Sequence, residues 1–302
     1  PDAEYALIRT EDSDTEYLVE EYNFLIGAEA ADSIGADVVN TSLGYSTFDD
    51  PSMEQPYSDM DGNTAISSIA AKMMIERGVH FVTSAGNSNG SEWPWVGTPS
   101  DVVEGLTIGA VDANGNIAYF SSIGPNGGGD QKPNTVANGY GCFVIRPNGN
   151  VETSSGTSFS SPITCGLVAC LVGANPYKTT DEIKSSVEQF ADRFDNPDYY
   201  YGYGLPDFGA TMNSLVDGLE YTSSDVALYV FPNPAQNVVN VVADNQISKI
   251  QVLDVLGRCL ETVVVNDNKF CIDLSEYSSN FCVLNVLMND GSSVNRKVIV
   301  TR

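Results

Sequence analysis

The sequence predicts a three-layer α/β domain, with helices on both faces of a mostly parallel sheet, followed by a small all-β sandwich. Three observations carry this. Up to about residue 215, short apolar runs alternate with longer stretches of helical periodicity, the pattern of repeated strand–helix units. From residue 226 the helical pattern stops, and seven short β runs separated by turn residues fill the rest of the chain. The charge changes at the same place: of a net −26, residues 1–225 carry −25 and residues 226–302 carry −1. Domains are therefore expected at 1–216 and 226–302, joined by a linker over 217–225.

In chain order, residues 6–9 predict a short strand. Residues 15–34 predict a helix with Leu18, Tyr22, Leu25, Ile26 and Ala30 near one face, stopped by Gly35. A buried strand over 37–44 ends in Gly44. The next helix opens at Asp61-Gly62-Asn63-Thr64 and runs through Ile66, Ile69, Ala70, Met73 and Met74. A strand over 79–83 leads into Ser84-Ala85-Gly86-Asn87-Ser88. Strands over 106–111 and 117–120 flank an Asn114-Gly115 turn, and a hairpin over 141–153 turns at Asn148-Gly149. A long helix then carries an apolar stripe of Phe159, Ile163, Leu167 and Leu171, and Thr180 caps a further helix over 179–191. The closing β runs lie at 227–231, 238–242, 249–253, 260–265, 270–272, 283–288 and 297–300. Their turn signals are Asn233-Pro234, Leu256-Gly257, Asn266-Asp267 and Asp290-Gly291.

Composition excludes several classes. With 40 acidic and 14 basic residues, no basic patch is available to neutralise phosphates, so no nucleic-acid partner is expected. No transmembrane segment is expected, because no apolar run approaches the ~18 residues of a membrane span. The chain starts at Pro1 without a signal peptide, so its natural start is expected to be missing. Six cysteines without CxxC spacing or histidine partners argue against zinc. Cys165 and Cys170 read as small buried hydrophobes, and one disulfide among Cys259, Cys271 and Cys282 stays open. Asp59-Met60-Asp61-Gly62-Asn63 lacks the glycine and glutamate of a calcium loop and reads as a helix cap. No cofactor is required by the sequence; structural calcium on the acidic surface stays open.

The chemistry is concentrated at Gly156-Thr157-Ser158-Phe159-Ser160-Ser161-Pro162. Ser158 falls in the first turn of a helix, at its positive end, where an oxyanion is stabilised. Pro162 is tolerated there because the earliest helical N–H groups lack intrahelical partners. Taken alone, the stretch also fits an ordinary Ser/Thr cap, Asn87 a turn residue, and Ser42-Leu43-Gly44 a plain strand end.

Together these residues resemble the subtilisin-like serine peptidases, the subtilase family. Four segments carry the likeness across roughly residues 1–215: Pro1-Asp2-Ala3 with the following strand, Asn40-Thr41-Ser42-Leu43-Gly44, Ser84-Ala85-Gly86-Asn87, and Gly156 to Pro162. Tyr201-Gly202-Tyr203-Gly204-Leu205-Pro206 resembles the family's closing segment. The resemblance implies an incomplete subtilisin-like fold and an endopeptidase that hydrolyses peptide bonds through an acyl-enzyme on Ser158. Asn87 and the Ser158 N–H would form the oxyanion hole. Ser42, Leu43 and Gly44 would pair with an extended polypeptide substrate, and Ser84, Ala85 and Gly86 would line the pocket before the scissile bond.

One departure matters. The family needs an aspartate and a histidine upstream, the latter in a His-Gly-Thr helix start, and the single histidine, His80, stands inside an apolar strand. The pair is therefore expected in a missing N-terminal part of the same protein, leaving this chain inactive alone. The strand that carries the aspartate would lie between residues 6–9 and 37–43. Its absence should leave an unpaired slot or bring those strands together, with poor stability either way. Phe231-Pro232-Asn233-Pro234, Asp254-Val255-Leu256-Gly257-Arg258 and Lys297-Val298-Ile299-Val300 resemble the sorting domains of type IX secretion substrates. That likeness implies secretion machinery as a partner of residues 226–302 and a secreted or cell-surface location. The competing expectation is a non-catalytic peptide-binding or adhesive surface protein with a degenerate peptidase fold.

Overall fold

The computed structural model describes residues 3–215, 228–254, 258–275 and 281–301. Pro1, Asp2, the expected linker over 217–225 and the Leu256-Gly257 turn lie outside the described residues. The chain divides into two units, Pro1–Val216 and Asp217–Arg302.

The first unit runs α1 (Val19–Ser33), β1 (Val38–Thr41), α2 (Ile66–Glu76), β2 (His80–Ser84), β3 (Leu106–Val111) and β4 (Thr135–Asn138). There follow a hairpin of β5 (Cys142–Ile145) and β6 (Val151–Ser154), then α3 (Thr157–Ala174), α4 (Thr180–Gln189) and α5 (Phe208–Leu215). Strands β1-β2-β3-β4 form one sheet in that order, every pair parallel. Strand side chains alternate between faces, and the two cores follow that alternation. Phe81 packs with Phe24, Ala28, Ala71 and Met74 of α1 and α2. Val82, Leu106 and Ile108 pack on the opposite face with Val168, Leu171, Ile183 and Val187 of α3 and α4. The result is the three-layer α/β/α arrangement the sequence predicts.

Several elements differ from expectation. Residues 6–9 form no strand; Leu7 is 96% exposed and lies in extended chain. A strand needs a ladder partner, and β1 pairs only with β2 among the described residues, so the expected slot stays open on its other edge. For the same reason β1 is half-buried and four residues long rather than a buried strand over 37–44. In α1 the buried face is Glu20, Glu21, Phe24, Gly27, Ala28 and Ala31, whereas Tyr22 and Ile26 are exposed. Apolar periodicity misread that helix because two of its inward residues are glutamates. Glu21 is satisfied there by the Ser67 N–H at 2.8 Å and the Gln55 amide.

In α2, Ile69 and Met73 of the expected stripe are partly exposed, while Ser67, Ser68 and Ala71 face inward. Asp61 does not cap α2; its carboxylate accepts from Asn63 and Thr64 in the turn ahead of it. Residues 117–120 make a single bridge, Val111 to Ile117, rather than a strand. The cap of α4 is Thr179, in a reciprocal pair with Glu182, not Thr180. Strand β4 and helix α5 were not expected, being short runs without strong periodicity.

Helix α3 shows the largest difference. Ile163 and Leu167 are 45% and 39% exposed, and the face against the sheet is Thr157, Ser160, Ser161, Thr164, Val168 and Leu171. Small residues are needed in its first turns, where the chain runs close over the sheet. A Cβ on Gly139 would stand 2.7 Å from the Ala110 Cβ and 2.8 Å from the Gly156 carbonyl oxygen. The buried hydroxyls bond back to the helix: Ser160 Oγ donates to the Thr157 carbonyl at 2.9 Å and Thr164 Oγ1 to the Ser160 carbonyl at 3.2 Å. Among the described residues α3 is the one helix long and apolar enough to cross a membrane, a length and composition overlooked because its apolar residues are interrupted by Ser and Thr. Its contacts with all four strands make it the central helix of this unit.

Among the described residues the second unit is one antiparallel sheet of five strands, β7 (Leu228–Phe231), β8 (Val238–Leu253), β9 (Cys259–Asp273), β10 (Phe281–Met288) and β11 (Ser293–Ile299). Seven runs were expected; two pairs merge into the long β8 and β9. The first half of β8 pairs with β7 and its second half with β10, while β9 follows it on the other edge. The expected Asn266-Asp267 turn is instead an irregularity within β9, with Asn266 at φ 61° opposite a register shift in β8. A core of Val239, Val241, Ile250, Val252, Leu284, Val286 and Val298 fills this unit. All six cysteines are free thiols, so no disulfide forms; Cys165 is half-buried and Cys170 exposed, rather than both buried.

Candidate active site

The expected residues meet at the carboxyl ends of β1 and β2, against the amino end of α3. Thr157 is fully buried and ties these parts together. Its N–H and its Oγ1 both donate to the Asn87 Oδ1, at 2.9 and 3.1 Å, and its Oγ1 accepts from the Gly86 N–H at 3.1 Å. Gly86 stands at φ +101°, and a Cβ there would lie 2.8 Å from the Ser122 Oγ, so only glycine fits this turn. Ser122 holds the loop from the other side: its N–H donates to the Gly86 carbonyl at 2.9 Å, and its Oγ accepts from the Ser88 N–H at 3.0 Å. Ser84 and Ala85 are buried beneath, the Ala85 N–H bonded to the Ile108 carbonyl at 2.9 Å.

Ser158 is half-buried in the first turn of α3. Among the described residues its Oγ has one hydrogen-bond contact, the Ser42 carbonyl at 3.5 Å, and the Ser42 Oγ donates to the Ser158 carbonyl at 3.3 Å. A relay runs on from there: Ser161 Oγ donates to Asn40 Oδ1 at 2.7 Å, and Asn40 Nδ2 donates to Ser42 Oγ at 3.1 Å. Asn40 and Ser161 stand inside motifs the sequence singled out, yet nothing in their spacing showed that they meet. The Ser158 N–H belongs to the first turn, where amides lack intrahelical acceptors. Because the Asn87 oxygen is taken by Thr157, its Nδ2 is left without a partner among the described residues. A Cβ on Gly156 would lie 3.6 Å from that Nδ2, so the amide sits directly over the turn that precedes Ser158.

His80 is elsewhere. It opens β2 level with Val38, whereas Ser42 follows Thr41, which is level with Thr83. Three to four strand residues separate the two levels, roughly 10–13 Å. Burial pushes the His80 pKa down, against the opposing effect of Asp37.

Leu43 and Gly44 continue from Ser42 along a cleft of about 460 Å³ whose opposite wall is the acidic loop 11–16, with Asp49 beside it. Burial, then the carboxylates of Glu20, Glu11 and Asp49, push the Glu16 carboxyl up to about 7. Gly44 itself passes close to a neighbour, since a Cβ there would stand 3.2 Å from the Thr98 carbonyl oxygen.

A parallel sheet with a serine at the amino end of its central helix is the arrangement that the resemblance to serine peptidases leads one to expect, and sequence comparison gives the family. The chain belongs to the subtilase family, whose model matches residues 3–204. Residues 229–301 match the secretion system C-terminal sorting domain, which marks a secreted or cell-surface protein. Among relatives, pyrolysin of Pyrococcus furiosus is 33% identical over 204 residues, covering 56% of this chain and 14% of pyrolysin. Subtilisin NAT of Bacillus subtilis subsp. natto is 28% identical over 187 residues, 61% of this chain and 43% of that protein. The chain thus spans less than half the length of either relative. The patellamide maturation protease PatA shares the fold, with a TM-score of 0.53 at 22% identity over 66% of this chain and 70% of that one.

Proposed function

We propose that this chain carries the nucleophile and oxyanion hole of a secreted serine endopeptidase, and that the general base and its orienting carboxylate lie on polypeptide outside it. In this reading the Ser158 Oγ attacks a peptide carbonyl and forms an acyl ester. The amine leaves with a proton delivered by the base, and water then releases the acyl group. The oxyanion receives the Asn87 Nδ2 and the Ser158 N–H. Ser42, Leu43 and Gly44 pair with the extended substrate, and Ser84, Ala85 and Gly86 line the pocket before the scissile bond.

The observation that carries this is the Thr157 clamp on the Asn87 oxygen, which leaves an unengaged amide donor beside a half-buried serine hydroxyl. Two features support the missing partner: no imidazole reaches Ser158 Oγ among the described residues, and β1 keeps an open edge. Without a base the hydroxyl stays protonated and is a poor nucleophile, so the chain alone is inactive. An active-site fluorophosphonate tests this. The isolated chain should remain unlabelled, and a longer form including the upstream segment should label at Ser158 and lose the label in Ser158→Ala. Stoichiometric labelling of Ser158 in the isolated chain would overturn the reading.

A further inference from the structure

Around the loop before α1, three carboxylates converge without a counter-charge. Glu11 and Glu16 come from the loop before α1 and Glu20 from its first turn, and one oxygen of each lies within 4.8 Å of the others. Glu20 is 2% exposed; one of its oxygens accepts from the Asp12 N–H at 2.7 Å, and its Oε2 is buried with no partner. Glu11 is held in place by the hydroxyls of Tyr45 and Thr10, both at 2.7 Å from its Oε1. The Glu16 N–H donates to the Asp49 carboxylate at 3.1 Å, which brings a fourth acid to the rim. None of the three glutamates pairs with a lysine or arginine among the described residues. A buried carboxylate oxygen with neither donor nor counter-charge is strongly disfavoured, and a bound cation removes that cost.

We propose that Glu11, Glu16 and Glu20 form a binding site for Ca²⁺. The donors are all carboxylate oxygens, which suit a hard cation and not zinc. The three oxygens lie within 4.8 Å of one another, close enough to share one ion, and Ca²⁺ tolerates such an irregular carboxylate set, whereas Mg²⁺ demands near-ideal octahedral geometry and dehydrates reluctantly. Two of the glutamates belong to the loop that walls the cleft opposite Leu43 and Gly44. An ion there ties this loop to α1 and fixes that wall, whether or not Ser158 acts on a peptide.

Terbium luminescence tests the site with no substrate present, using the chain after chelator treatment, at mildly alkaline pH and physiological ionic strength. Tyr45, whose hydroxyl touches Glu11, sensitises a lanthanide bound there. The expected result is a saturable one-to-one signal that Ca²⁺ displaces and Mg²⁺ displaces poorly. It should weaken about tenfold or more in Glu16→Gln and in Glu11→Gln, because affinity follows the number of charged ligands. Glu76→Gln, an exposed acid on α2, should leave it unchanged. Circular dichroism checks that each variant folds, and Glu11→Gln stands in should Glu16→Gln fail. A non-saturating signal, or one equal in all folded variants, would show only diffuse attraction to the acidic surface and would overturn the proposal.

Discussion

The Asn87 carboxamide is fixed by two hydrogen bonds from one residue, the N–H and the Oγ1 of Thr157. The same hydroxyl accepts from the Gly86 N–H, so one buried side chain sets both the turn after β2 and the direction of the Asn87 Nδ2. Thr157→Val keeps the shape and removes the hydroxyl. The Gly86 N–H loses its acceptor, and the expected loss is about 1–3 kcal/mol in urea unfolding. An unchanged unfolding midpoint would mean that water replaces the hydroxyl and that the clamp does not set the turn.

Gly139 makes a second, sharper test. A methyl there meets the Ala110 Cβ and the Gly156 carbonyl, both under 3.0 Å, and the Gly139 carbonyl also accepts the Gly156 N–H at 2.8 Å. Gly139→Ala must push the start of α3 away from β3, at a cost of about 1–3 kcal/mol. Gly35→Ala is a control, since nothing lies within 4 Å of its Cβ and only its φ of +74° opposes the change. Gly139→Ala should therefore alter the amide NMR shifts of Thr157 and Ser158, and Gly35→Ala should not. Equal shifts in both would remove the argument that close approach places the serine.

Much of the fold was legible because β2 and β3 are short, fully buried runs with Phe81-Val82 and Leu106 to Val111 at their centres; the start of α4 was legible too, but not which of Thr179 and Thr180 caps it. The serine, the carboxamide and the glycine turn stand in contiguous motifs, and the structure brings them together. What periodicity could not show was orientation. In α1 the inward residues include Glu20 and Glu21, and in α3 they are hydroxyls and small residues, so an apolar stripe points the wrong way in both. The strand expected at residues 6–9 needed a neighbour that no local pattern supplies. In the second unit Asn266 reads as a hairpin turn, yet it adopts its positive φ inside a continuous strand.

His80 gives stability a pH dependence. Burial lowers its pKa below the ordinary value of about 6.5 that it has in the unfolded chain. Between the two values the unfolded chain holds a proton that the folded chain lacks. The His80 contribution to stability is therefore complete above about pH 6.5 and falls as pH drops through that window. Each unit of depression corresponds to about 1.4 kcal/mol. His80→Gln removes the titration, so its urea midpoint should fall less than that of the parent between neutral and mildly acidic pH. Parallel profiles for the two proteins would show that other groups govern the acid limb.

Asn40 is a polar link between β1 and the helix that carries the serine. Its Oδ1 accepts from the fully buried Ser161 Oγ, and its Nδ2 donates to the Ser42 Oγ, which in turn donates to the Ser158 carbonyl. Among the described residues β1 has only β2 as a neighbour in the sheet, so this side-chain relay is a second restraint on its carboxyl end. Asn40→Ala strands the Ser161 hydroxyl and frees Ser42, while the backbone ladder from Val38 to Thr41 against β2 stays intact. The expected loss in stability is about 1 kcal/mol, because Asn40 itself is exposed and water takes over part of its role. The larger effect should be local: hydrogen exchange should quicken at residues 41–44 and stay unchanged at β3. Exchange that is unaltered at Ser42 and Leu43 would mean that the ladder with β2 alone holds the strand end that faces the serine.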